Sequence, residues 1–240
     1  MRIVSLALLF LLGYADAQQA SQANPKSCRA DVFVPESLKQ SVAIPSPDNR
    51  FQAVLDEYRE EEDSESGRLT VFLGKTLLGR YRLRGLSAGI FVKWSPDSRA
   101  FYLMWSNGGI IGGYDVRVFR VVSHAVREVF PMKIAETEFK RRHNCRTRGV
   151  NAFAVKWMTN SEQLMIATQV YPTSDCGAEM GLTKGYTVRL EDGQIVQRHS
   201  QKIIENEMKE CPTPFWPAGL WDDNTLQQVK SEINSSARKP

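Results

Sequence analysis

Lys140, Arg141, Arg142, His143, Arg146 and Arg148 form the densest basic run in this 240-residue chain. Guanidinium groups present planar forks of N–H donors that match carboxylate and phosphate oxygens. The run is therefore the first candidate for recognising a partner: an acidic protein, an anionic glycan or lipid headgroups. Its plainer reading is a solvated insertion face beside Cys145. No aromatic residues are interleaved with it, so the stacking platform that single-stranded nucleic acid needs is missing. Gly85-Leu86-Ser87-Ala88-Gly89 has the G-x-S-x-G spacing of a hydrolase elbow, with His124 or His199 as remote base candidates. An elbow needs a helix after the serine, whereas Ile90 to Trp94 reads as a strand. A small hydrolase using Ser87 is kept as a rival, and no catalytic residue is assigned.

Other reactive groups point away from chemistry. Glu57, Glu60, Glu61, Glu62, Asp63 and Glu65 could attract calcium, but they lack the alternating Asp/Asn and Gly spacing of a dedicated loop. A solvated hairpin tip accounts for them. His124, His143 and His199 are isolated and show no metal spacing. Gly108-Gly109 and Gly112-Gly113 open onto a strand, not onto a phosphate-cradling helix. Neither a metal nor a cofactor is expected. The four cysteines Cys28, Cys145, Cys176 and Cys211 are separated by 117, 31 and 35 residues, with no C-x-x-C pair. An even count in an exported chain reads as two disulfides, with three pairings open. Cys145–Cys176 with Cys28–Cys211 is the favoured one.

Export is read from the first residues. Met1-Arg2, the apolar run Ile3 to Leu12 and the small residues before Gln18 have the layout of a secretory signal peptide cleaved after Ala17. The apolar run is too short for the roughly 20 residues that span a bilayer. The expected location is secreted or periplasmic. The formal charge of +4 is mild, and 42% apolar residues with five Trp suffice for a packed core.

The elements that must position these groups are mostly strands. Candidates are Asp31 to Val34, Phe51 to Leu55, Leu69 to Leu73, Leu77 to Leu83, Ile90 to Trp94 and Ala100 to Trp105. Tyr114 to Val121, Ala125 to Phe130, Phe153 to Trp157, Gln163 to Val170, Tyr186 to Leu190 and Gln194 to Arg198 continue the series. Lys133 to His143 is rich in helix formers and predicts a helical insertion. Asp222 to Ile233 predicts a short C-terminal helix, following the Pro/aromatic segment Pro212 to Pro217. Asn234-Ser235-Ser236 fits a glycosylation acceptor.

One pattern recurs. Trp94-Ser95-Pro96-Asp97-Ser98-Arg99 precedes the strand at Ala100, Ser46-Pro47-Asp48-Asn49-Arg50 precedes Phe51, and Trp157 to Glu162 precedes Gln163. Pro presets φ in such a turn, while Ser and Asp bond locally to free backbone groups. With Tyr114-Asp115-Val116-Arg117-Val118 downstream, the middle copy resembles a blade of the TolB-type, WD-repeat-like β-propellers, which carry W-S-P-D-G turns. The resemblance implies that Trp94 and Trp157 fill gaps between neighbouring blades, with Pro96 and Asp97 shaping the turn. The first two copies lie 49 residues apart and the two Trp 63, the excess falling at the helical insertion. Asn49 and Ser98 stand where the family has Gly.

The expectation is an all-β fold: an incomplete propeller-like stack of about three antiparallel sheets, or alternatively a β-sandwich. The organisation expected is a signal at 1–17, a leader at 18–30, the β domain at 31–220, and a helix and tail at 221–240. The expected function is non-enzymatic binding or scaffolding, with an exported or cell-surface protein as partner, through loops at Asn107 to Gly113 and Tyr171 to Gly181. Binding of anionic glycan or lipid headgroups by residues 140–148 is the alternative.

Overall fold

The computed structural model describes residues 32–34, 41–61, 64–84, 90–106, 114–143, 150–158, 162–170, 179 and 181–210. They form three antiparallel sheets and two helices, the all-β class expected. The first sheet orders β2 (Val42–Pro45), β3 (Phe51–Glu61), β4 (Ser64–Leu73) and β5 (Thr76–Arg84). The second holds β6 (Ile90–Trp94), β7 (Ala100–Ser106), β8 (Tyr114–Val122) and β9 (Ala125–Val129), with β1 (Val32–Val34) added against β6. The third is β10 (Val150–Trp157), β11 (Gln163–Val170), β12 (Thr183–Arg189) and β13 (Ile195–His199). Helix α1 (Pro131–Arg142) joins the second sheet to the third, and α2 (Gln201–Glu210) follows β13. Among the described residues no helix is long and apolar enough to cross a membrane.

The recurring turn closes in the same way each time. Ser46 N–H donates to the Phe51 carbonyl at 2.9 Å, Ser95 N–H to Ala100 at 2.7 Å and Met158 N–H to Gln163 at 3.1 Å. In the first two copies the serine hydroxyl donates to the Asp48 or Asp97 carboxylate at 2.7 Å and accepts the Phe51 or Ala100 N–H. Asn49 and Ser98 adopt φ of 58° and 61°, the left-handed conformation that favours Gly. Asn tolerates it well. Ser98 sits fully buried, and its hydroxyl accepts the Asp48 N–H at 3.1 Å, joining the two turns.

The sheets stack face to face. Trp94, 2% exposed, lies 6.3 Å from the Phe51 ring and donates from Nε1 to the Ile44 carbonyl of the first sheet at 3.3 Å. Trp157 repeats the contact one sheet on, donating to the Lys93 carbonyl at 3.3 Å. Ile44 and Lys93 occupy the same place, two residues before the turn serine. A bidentate Arg117–Glu128 pair also ties the first two sheets, since Arg117 donates to the Arg82 carbonyl at 2.6 Å.

The leading faces differ in chemistry. The second sheet presents Trp94, Phe101, Leu103 and Trp105, and the third Trp157, Leu164, Ile166 and Thr168, all buried. The first presents Pro45 and Gln52, exposed, with Val54 and Asp56 half-buried. Arg68 on the same face is exposed as well, whereas Thr70 at its middle is buried. At the other end of the stack α2 lies on the third sheet, its Ile204 and Met208 buried. A Cβ at Gly185 would come within 2.3 Å of Ile204 Cδ1 and 2.9 Å of His199 Cβ, so only Gly admits this approach.

Several details depart from the sequence reading. The strands that lead to the acidic hairpin tip are longer than expected: β3 runs to Glu61 and β4 begins at Ser64. The N-terminal strand β1 joins the second sheet, pairing antiparallel with β6. Strand β2 and helix α2 were not expected. The predicted helix at 222–233, the Pro212 to Pro217 segment, residues 1–30 and all four cysteines lie outside the described residues.

A candidate binding groove between α1 and the β12–β13 hairpin

Helix α1 is positioned by its own first turn. Pro131 occupies a position where its missing N–H costs nothing. Met132, Ala135 and Phe139 recur at three- and four-residue spacing and are buried against β10, β11 and β12. The opposite side of the helix carries Lys133, Thr137, Lys140 and Arg141 into solvent. The hairpin facing it turns at Gly193, whose φ of 71° needs glycine. A Cβ there would also meet Ile134 Cδ1 at 2.5 Å.

Between helix and hairpin lies a groove of about 820 Å³, within the roughly 300–1,000 Å³ range of small-ligand sites. One wall is Val129, Phe130, Pro131 and Ile134, the other Val188, Leu190 and Ile195. Phe130 is 63% exposed, the most exposed large apolar side chain among the described residues. The polar end is organised by Glu138. Its side chain is 10% exposed and accepts from three guanidiniums. Arg141 donates at 3.0 and 3.2 Å, Arg142 at 2.5 Å, and Arg198, 60 residues away, at 3.0 and 2.9 Å. The hydrogen bonds from Arg141 and Arg142, joined by that from Arg198, hold the Glu138 carboxyl down at about 2. Below it Tyr186 is 2% exposed, and burial, with the Glu138 charge second, pushes its hydroxyl upward.

The charge balance gives this end its character. Glu128 is held by Arg117 and Asp192 by Arg189, so those carboxylates are matched one to one. Glu138 faces three guanidiniums, two of which, Arg141 and Arg198, line the groove, leaving one positive charge in excess there. Each guanidinium has five N–H donors, so forks remain beyond those given to Glu138. The arrangement suits an anionic group attached to an apolar body.

The basic run of the sequence is thus divided. Lys140 is exposed on α1, Arg141 and Arg142 are tied to Glu138, and only Arg141 lines the groove. Arg146 and Arg148 lie outside the described residues. His143 stacks on Phe139 with centroids 4.4 Å apart and meets Glu179 at 2.9 Å. Sequence reasoning missed Glu138 and Arg198; the available signal was the i, i+3 and i, i+4 spacing of Glu138 to Arg141 and Arg142.

The other candidates are dispersed. Ser87 and most of the two predicted contact loops lie outside the described residues. The described elements on either side of Ser87 are the strands β5 and β6. His124 is exposed, whereas His199 is buried under α2 with Nε2 2.8 Å from Thr187 Oγ1. Burial lowers the affinity of His199 for a proton, Glu207 opposing and Lys156 adding to the effect. Pro96 is exposed, and Asp97 accepts from Ser95 and the Arg99 N–H. Among the described residues no three His, Cys, Asp or Glu side chains converge to hold a metal.

No family model matches this sequence. No curated protein matches it either. The orthorhombic crystal form of Pyrococcus horikoshii acylaminoacyl peptidase aligns with 71% of this chain and 27% of its own, at 11% identity and a TM-score of 0.35.

Proposed function

We propose that the chain is an exported, non-enzymatic binding module that receives a segment of a partner protein in the groove between α1 and the β12–β13 hairpin. The observation that carries this reading is the Glu138 cluster: three guanidiniums on one carboxylate, at the end of an apolar groove with Phe130 exposed at its wall. The matching segment has an acidic side chain or chain terminus next to apolar residues. Bidentate arginine contacts fix its orientation, while the apolar walls supply area. The signal-like first residues support export. The hydrolase alternative rests on Ser87, and the described residues that follow it, Ile90–Trp94, form a strand instead of the helix that an elbow requires.

The test is affinity capture of the mature protein from the export compartment, with quantitative mass spectrometry. The double variant Arg141→Glu/Arg198→Glu should lose the principal partner, whereas Arg127→Glu, on an exposed position of β9, should keep it. Undiminished capture by the double variant would contradict the assignment, and hydrolysis abolished by Ser87→Ala would favour the rival.

A further inference from the structure

A file of arginines on β5 supports a second interaction that uses none of the groove's residues. Tyr81 and Leu83 of β5 face the second sheet, so the alternating Arg80, Arg82 and Arg84 lie on the water-facing side, all three exposed. Alternate residues of a strand are about 7 Å apart. Arg68 of β4 stands directly opposite Arg82 in register. Like charges in that position are destabilising. Among the described side chains of this face Asp56 is the only carboxylate, and it is held by Arg68 at 3.0 Å. The equivalent faces of the other two sheets are buried, whereas this one carries exposed Pro45, Gln52, Arg68, Arg80, Arg82 and Arg84 around a buried Thr70.

We propose that the open face of the first sheet binds a linear polyanion, of the sulfated or uronic-acid glycan class, running along β5. The single-file layout selects a chain over a membrane. Among the described side chains, β2 and β3 bring Ala43, Pro45, Gln52, Val54 and Asp56 to this face and no cation, so the described positive charge lies on β4 and the edge strand β5. Arginine forks match sulfate and carboxylate oxygens. The acidic run from Glu57 to Glu65 extends the same hairpin past Arg84 and bounds the site at that end.

The experiment is calorimetric titration of the mature protein with a size-defined heparin oligosaccharide at about 0.15 M salt. Arg80→Ser/Arg82→Ser/Arg84→Ser should lose about tenfold or more in affinity and show a shallower salt dependence, while Arg99→Ser/Arg127→Ser/Lys202→Ser, removing equal charge elsewhere, should lose less than about threefold. Equal losses in both would reduce the effect to net charge and overturn the site. Arg141→Ser/Arg198→Ser should likewise lose less than about threefold. A larger loss there would move the site to the groove. Should the triple variant unfold, Arg80→Ser alone should still weaken binding about two- to threefold, and no change would count against the proposal. Phosphatidylglycerol vesicles that bind through the same arginines while heparin does not would also refute it.

Discussion

Two buried indoles give opposite predictions for the same substitution. Trp94 and Trp105 are 2% and 3% exposed and belong to the same core between the first two sheets. Trp94 Nε1 donates to the Ile44 carbonyl at 3.3 Å, whereas Trp105 Nε1 meets no acceptor among the described residues. Replacement by Phe removes comparable apolar volume at both sites. At position 94 it also takes the donor from a buried carbonyl, and at 105 it removes an unsatisfied donor. A buried polar group without a partner costs about 1–3 kcal/mol. Trp94→Phe should therefore destabilise by about 2 kcal/mol more than Trp105→Phe. For a protein of this size that is a melting difference of about 4–8 °C. Scanning calorimetry, with urea unfolding followed by near-ultraviolet dichroism, measures it. Equal costs, or a larger cost at 105, would refute the inter-sheet role given to the Trp94 bond.

Further outcomes follow from α2 and from the two shifted titrations. Burial lowers the folded-state pKa of His199 below 6.5, so its stability contribution is present above 6.5 and is lost as pH falls toward the folded value. The charged groups facing it are Glu207, from α2, and Lys156, from β10, which pair with each other. Melting temperatures compared from about pH 8 to about pH 5 should fall less steeply in His199→Gln than in the parent; parallel curves would exclude the histidine as the cause. The Glu138 contribution runs through a lower window, being present above 4.5 and lost as pH falls through about 2. Gly185→Ala places a methyl on Ile204 and the His199 Cβ, so amide exchange of residues 201–208 should accelerate well before that of β11. Unchanged exchange would show that α2 does not rest on the sheet at that point.

Much of the stack is legible in local chemistry, because strand alternation and turn residues act over a few positions. The Ser-Pro-Asp turns, the all-apolar strand at Ala100 and the hairpin at Asp192-Gly193 are of this kind. Helix α2 was hidden because its apolar contact is carried chiefly by Ile204 and Met208 amid polar residues, and the sheet beneath supplies the rest of its stability. Strand β2 was hidden by its length of four and its terminal Pro45. The groove is the least legible feature. The basic run drew attention to residues 140–148, yet the site is assembled from Glu138 and Arg141 on a helix and Arg198 on an edge strand. No local rule joins residues 60 positions apart.

The central claim is that the groove holds the partner. A photo-crosslinking side chain placed at Thr137, exposed on the groove wall, tests it most directly, with the same probe at Ala125 on exposed β9 as the comparison. The prediction is a single crosslinked adduct from position 137, suppressed by Arg198→Glu, and none from position 125. An adduct from 125 alone, or one from 137 indifferent to Arg198→Glu, would contradict it.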